Sequence, residues 1–168
     1  WHDRVSPDGV MIGKALGGGF LPVSMFLANK EVMSVYTPGS HGSTFGGNPL
    51  AAAVGLEALN VIVEENLVDR AAVLGSYLLA KLKQLKSPLI KSVRGKGLLT
   101  GIEIDSNYIS GFEFCSALIS RGLISKETHE NIIRLAPPLI ITKKQIGIAL
   151  HCIREVLKDV ELRYRKSA

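Results

Sequence analysis

The chain has 168 residues, 46% of them hydrophobic and 21% charged, ordinary values for a globular chain that can build a core. No apolar run reaches the roughly eighteen residues a membrane span needs. The formal charge of +5 is spread along the chain, with one small cluster at Arg163, Arg165 and Lys166; without an aromatic-interleaved basic face or zinc spacing, this argues against nucleic-acid binding.

Cys115 and Cys152 both sit among apolar residues of helix-like segments. They read as two buried, reduced thiols of an intracellular protein. His2, His41, His129 and His151 show no ligand spacing, so no metal site is expected. The first residue is Trp1 rather than methionine, which reads as a start inside a longer protein. The compartment stays open between cytoplasm and mitochondrial matrix.

In chain order, residues 9–13 and 22–28 read as short apolar strands separated by a glycine turn at 17–19. Between them stands Lys14, at the end of Val10-Met11-Ile12-Gly13 and ahead of Ala15-Leu16-Gly17-Gly18-Gly19. An amine so flanked loses hydration, which favours the neutral form that condenses with carbonyls. The alternative is a strand-end lysine that reaches into water beside a glycine turn.

A glycine-rich polar loop covers 37–48, and Asn48-Pro49 then reads as an N-cap followed by proline at the first helical position. One helix is expected over 50–65. A second carries Leu67, Ala71, Leu74, Leu78, Leu82 and Leu85 at helical spacing and is closed by Pro88. From 93 to 104 a glycine-containing turn leads into an extended segment, Leu98-Leu99-Thr100-Gly101-Ile102-Glu103-Ile104. A helix over 112–121 stops at Gly122. Ile132-Ile133-Arg134-Leu135 reads as a short strand halted by Pro137-Pro138. Thr142 and Gln145 form a capping box, and behind it Ile146, Ala149, Leu150, Ile153, Val156, Leu157 and Val160 make a core stripe. There are no internal repeats. The domain boundary is placed near Leu67, giving parts 1–66 and 67–168.

Three runs carry candidate chemistry. Lys14 is the first. The second is His41-Gly42-Ser43-Thr44-Phe45-Gly46-Gly47-Asn48-Pro49, where two hydroxyls and flexible backbone lead into a helix N-terminus. That suits a phosphate or another anion, and suits an ordinary capped loop equally well. No acid or nucleophile elbow supports a hydrolase triad on His41 and Ser43. The third is Arg134, out of keeping with its apolar neighbours: either it lies on the solvent face of an edge strand, or it is held for a bidentate carboxylate. Gly95-Lys96-Gly97 with Gly101 lacks the spacing of a dinucleotide fingerprint.

Taken together these runs resemble the class III, fold-type I aminotransferases that use pyridoxal 5'-phosphate. Gly13-Lys14-Ala15-Leu16 with Gly18-Gly19 resembles the family's cofactor-lysine segment, and residues 41–49 its phosphate-contacting loop. Val93-Arg94-Gly95-Lys96-Gly97-Leu98-Leu99 is similar to the entry of the small domain. Thr128-His129 followed by Ile132-Ile133-Arg134-Leu135-Ala136-Pro137-Pro138-Leu139 resembles the ornithine branch of that family. The resemblance covers almost the whole chain, in order.

It implies an α/β fold: the end of a cofactor-binding large domain over 1–66 and a small C-terminal α/β domain over 67–168. It implies that Lys14 forms the cofactor Schiff base and then shuttles protons as general acid and base. Ser43 and Thr44 would contact the cofactor phosphate of the neighbouring subunit in a homodimer with shared sites. Arg134 would grip the α-carboxylate of glutamate or 2-oxoglutarate. The implied reaction moves the δ-amino group of ornithine to 2-oxoglutarate, giving glutamate 5-semialdehyde and glutamate, with no nucleic acid or membrane as partner.

In this family the acid paired with the pyridine nitrogen, the ring-stacking aromatic and the main phosphate turn precede the lysine. Asp3 and Asp8 are too close to Lys14 to stand for that acid. The 168 residues alone are therefore expected to be inactive and to hold pyridoxal phosphate weakly. The rival readings are an acetylornithine or 4-aminobutyrate aminotransferase, and a non-catalytic assembly module.

Overall fold

A computed structural model describes residues 5–167, without the side chains of 166 and 167. The readings made on Trp1, His2, Asp3 and the Lys166 side chain lie outside the described residues. The chain divides into two compact units, Trp1–Glu65 and Asn66–Ala168.

In the first unit, β1 (Gly9–Ile12) and β2 (Met25–Ala28) pair antiparallel, with Val10 opposite Leu27. The second strand starts three residues later than expected. Pro22, which has no N–H to give a ladder, lies in the stretch that the sequence assigned to strand. Between the strands the chain makes a 3-10 turn over Lys14–Gly17, followed by Gly18 at φ 60° and Gly19 at φ 83°. Both glycines hold left-handed backbone, which ends the turn at little cost.

A short helix α1 (Lys30–Met33) is capped by Asn29, whose side chain accepts from the Val32 N–H. Helix α2 (Pro49–Glu64) begins as the sequence indicates: Pro49 takes the first position and Asn48 Oδ1 accepts from the Ala51 N–H at 2.8 Å. Within the unit α2 buries only Ala51 and Gly55, packing on the 3-10 turn. Leu50, Leu56 and Val63 stay exposed.

The second unit is a two-layer α/β structure. Its sheet has the order β3-β4-β6-β5, all antiparallel, built from β3 (Ile90–Lys96), β4 (Leu99–Ile104), β5 (Lys126–Thr128) and β6 (Ile132–Leu135). The residues expected to form a turn into an extended segment are a hairpin, with Gly97 at φ 54° in its turn. β5 was not anticipated. Three helices, α3 (Leu67–Lys83), α4 (Gly111–Ile119) and α5 (Lys143–Ser167), complete the unit.

The core is the alternation of strands meeting the periodicity of helices. Ile102, Ile104 and Ile133 point to the helices and are fully buried beside Leu82, Phe114, Leu118 and Ile153. The stripe read on α5 is buried at Ile146, Leu150, Ile153, Val156, Leu157 and Val160, with Ala149 half-buried. Cys115 and Cys152 are free thiols in this core, as expected. The box of Thr142 and Gln145 starts α5, with Gln145 Oε1 accepting from the Thr142 N–H at 2.9 Å. A second box, Ser110 with Glu113, starts α4 and was missed. No helix among the described residues is long and apolar enough to cross a membrane.

Candidate functional site

Each unit holds one of the candidate sites, and each is built locally.

In the first unit Lys14 opens the 3-10 turn and is held at φ 51°, a left-handed conformation that non-glycine residues rarely adopt. The strain persists because its neighbours are fixed. Gly13 O accepts from the Leu16 N–H at 3.2 Å, and Leu16 is 6% exposed. Lys14 borders an open hollow of about 740 Å³, within the size range of small-molecule sites. The other walls are residues 19–24 and 45–48, with Ala51 of α2. The lysine itself is exposed. The flanking apolar run, from which dehydration was expected, does not cover it: Met11 and Ile12 are exposed as well.

The loop over 37–48 is held by its own side chains. Ser43 Oγ accepts from the Gly46 N–H at 2.9 Å, and Asn48 Nδ2 donates to the Phe45 carbonyl at 2.8 Å. Because Asn48 also takes the Ala51 N–H, the first turn of α2 has fewer free donors than its sequence promised. Ser43 and Thr44 are exposed and do not line the hollow, whereas Phe45, Gly46, Gly47 and Asn48 do. Thr44 makes no side-chain hydrogen bond among the described residues. His41 rests edge-on against Tyr36, with ring centroids 5.7 Å apart.

In the second unit Arg134 lies on the face of the sheet away from the helices. Its strand is interior, between β4 and β5, so the edge-strand reading is corrected. Arg134 is exposed, opposite Gly101 on one side and Lys126 on the other. It has no ion pair among the described residues. The nearest acid in register, Glu103, is engaged elsewhere: its Oε2 accepts from Ser92 Oγ at 2.8 Å and from Arg94 Nη1 at 3.0 Å. Those hydrogen bonds, Ser92 foremost, hold the Glu103 carboxyl below its ordinary range. Lys126 and Gly101 had not been singled out as site residues. Only strand register brings them to Arg134.

No group of acids, histidines and cysteines among the described residues is arranged for a metal ion. Residues 1–157 match the family model of the class III aminotransferases.

The chain belongs to the class III aminotransferase family.

A curated relative from Staphylococcus aureus, ornithine aminotransferase 2, is 54% identical over 156 residues. That match takes in 93% of this chain and 39% of the relative, so the chain spans about two fifths of the curated relatives it matches. Among solved structures, an ornithine aminotransferase from Toxoplasma gondii, with partial occupancy of PLP at its active site, superposes with a TM-score of 0.91 at 42% identity. It covers 98% of this chain and 39% of that one. The acetylornithine aminotransferase from Elizabethkingia anophelis gives a TM-score of 0.86 at 47% identity, over 94% of this chain and 42% of its own. The mixed α/β architecture of this class III aminotransferase chain is thus that of known aminotransferases.

Proposed function

We propose that the protein carrying this chain is an ornithine δ-aminotransferase that moves the δ-amino group of ornithine to 2-oxoglutarate, yielding glutamate 5-semialdehyde and glutamate. The observation that carries the proposal is Lys14: a strained, exposed primary amine on the wall of a ligand-sized hollow, in a chain 54% identical to an ornithine aminotransferase.

The donor set fits pyridoxal phosphate in part. Lys14 Nζ is the amine that would hold the cofactor's aldehyde carbon, and Phe45, Gly46 and Gly47 border the same hollow. Pyridoxal phosphate, when bound, supplies the electron sink that makes the carbon bearing the amine acidic. Lys14 Nζ would then carry the proton from and to that carbon as general base and acid. Arg134 would receive the carboxylate of glutamate or 2-oxoglutarate through its planar fork, a charge-assisted contact worth about 1.5–3 kcal/mol.

Thr44, exposed and without a side-chain hydrogen bond among the described residues, would serve the cofactor phosphate of a second subunit, with Ser43 shaping the turn beside it. The apolar surface of this unit calls for cover by the rest of the protein or by a second subunit, as a shared site in a homodimer would give. Phe20 is 89% exposed and Phe45 81%, more than a solvent-facing unit usually leaves bare. The same openness supports weak retention of cofactor by these 168 residues alone, because Lys14 stands exposed among the described residues.

The second reading, an acetylornithine aminotransferase, is favoured by the 47% identity to the Elizabethkingia structure. Ornithine and acetylornithine compared as donors, with 2-oxoglutarate as acceptor and glutamate measured, separate the two. Preference for ornithine upholds the proposal, preference for acetylornithine replaces it, and no transfer from either donor rejects both.

A further inference from the structure

Arg134 is the last residue of β6 with a strand partner on both sides. Gly101 faces it from β4 and Lys126 from β5, whereas the next residue, Leu135, pairs with Thr100 of β4 alone. Beyond Leu135 the chain leaves the sheet through Ala136-Pro137-Pro138. Each proline fixes its own φ and restricts the residue before it. The exit from β6 is therefore stiff, and whatever holds its far end bears on Arg134.

The far end is held from α3. Near the start of that helix the guanidinium of Arg70 donates to three consecutive carbonyls: Nε to Leu139 at 3.2 Å, Nη2 to Ile140 at 3.0 Å and to Ile141 at 2.8 Å. The Ile141 N–H donates in turn to the Pro138 carbonyl at 3.0 Å, closing the bend just after the prolines. A rigid planar fork can meet several acceptors along one edge, which a point-charge ammonium cannot do as well. Arg70 is itself fixed, because Leu67 and Leu74 on either side of it along α3 are buried.

We infer that Arg70 is a positioning residue for the substrate carboxylate: it pins the stretch that leaves β6 and so sets where the Arg134 guanidinium stands. This rests on the proposed role of Arg134 and deepens it. Arg70 acts through the backbone, and a displacement of about 1 Å in a group that grips substrate can cost about a hundredfold in rate. The effect falls on one half of the reaction. In 2-oxoglutarate the α-carboxylate adjoins the carbon that receives the amino group. In ornithine it stands at the opposite end of the molecule from the δ-amino group. An arginine placed to grip the first is not placed to grip the second.

The test is transamination by the full protein loaded with pyridoxal phosphate, with kcat/KM measured separately for 2-oxoglutarate and for ornithine, and the melting temperature of each variant beside it. The two values report separate halves of the transfer. Arg70→Gln is expected to lower kcat/KM for 2-oxoglutarate about tenfold and to leave that for ornithine within about twofold. Arg70→Lys, which keeps the charge and loses the fork, is expected to fall between Arg70→Gln and the parent. A merely structural arginine would lower the melting temperature and leave both values unchanged below it, or lower both together; either result overturns the inference. Loss for 2-oxoglutarate in Arg134→Lys but in neither Arg70 variant overturns the role of Arg70 and leaves that of Arg134. An unchanged value in Arg134→Lys overturns the carboxylate reading of Arg134, and the role of Arg70 with it.

Discussion

Gly75 on α3 lies against the backbone of Gly97, in the turn that joins β3 to β4, with no room for a β-carbon between them. The contact seats the helix on the hairpin at backbone distance and so fixes the strand that pairs with Arg134. Gly75→Ala would drive a methyl into the Gly97 carbonyl, and neither element can yield without moving the hairpin. Chemical denaturation is expected to show a loss of about 3 kcal/mol, the upper range for overpacking. A change below about 0.5 kcal/mol would mean that the helix and hairpin are not in this contact.

Acid should weaken the second unit through Glu103. Its carboxyl is held below the ordinary value by Ser92 and Arg94, so the folded state binds the proton less readily than the unfolded chain. The stabilisation is therefore complete above the unfolded pKa and fades as pH falls through the lower, folded one. Glu103→Gln should flatten the fall in denaturation midpoint between about pH 5 and pH 3. An unchanged acid limb would show that the Arg94–Ser92–Glu103 group is broken in solution.

Thr100 faces the core at 2% exposure, and its hydroxyl is, among the described residues, a buried polar side-chain atom without a hydrogen-bond partner. Thr100→Val keeps the shape and removes the desolvated oxygen. Stability should rise by about 1 kcal/mol. A loss of that size would reveal a partner for the hydroxyl.

Cys115 is 3% exposed, and burial pushes its thiol pKa up, against the weaker effect of the Ser125 hydroxyl. It should resist iodoacetamide near pH 8 until the unit unfolds, then react at the rate of an ordinary thiol. Rapid alkylation of the native protein would contradict this burial.

What could be read in advance depended on how much of the signal is local. The caps are local: Asn48 with Pro49, and Thr142 with Gln145, each announce a helix within four residues. The α5 stripe from Ile146 to Val160 is a repeating signal, and it was read in full. β3 and β5 give little local signal. Ile90-Lys91-Ser92-Val93-Arg94-Gly95-Lys96 has two apolar residues in seven, and Lys126-Glu127-Thr128 has none. Both are edge strands, formed because an apolar neighbour offers its free ladder, so β4 and β6 decide them. Without β5, the sequence left open an edge-strand position for Arg134. The candidate site divides in the same way. Lys14, Ser43, Thr44 and Arg134 stand out by their neighbours in sequence. The walls of the Lys14 hollow, about thirty residues apart in the chain, and the pairing of Arg134 with Lys126 exist only after folding.

The central claim is that Lys14 is the amine that holds the cofactor. The most direct measurement is borohydride reduction of the full protein loaded with pyridoxal phosphate, followed by peptide mapping. The account predicts a pyridoxyl group on Lys14 and its loss in Lys14→Ala. No adduct at Lys14, or label scattered over surface lysines such as Lys30 and Lys144, would contradict it and return Lys14 to a strained lysine at a strand end.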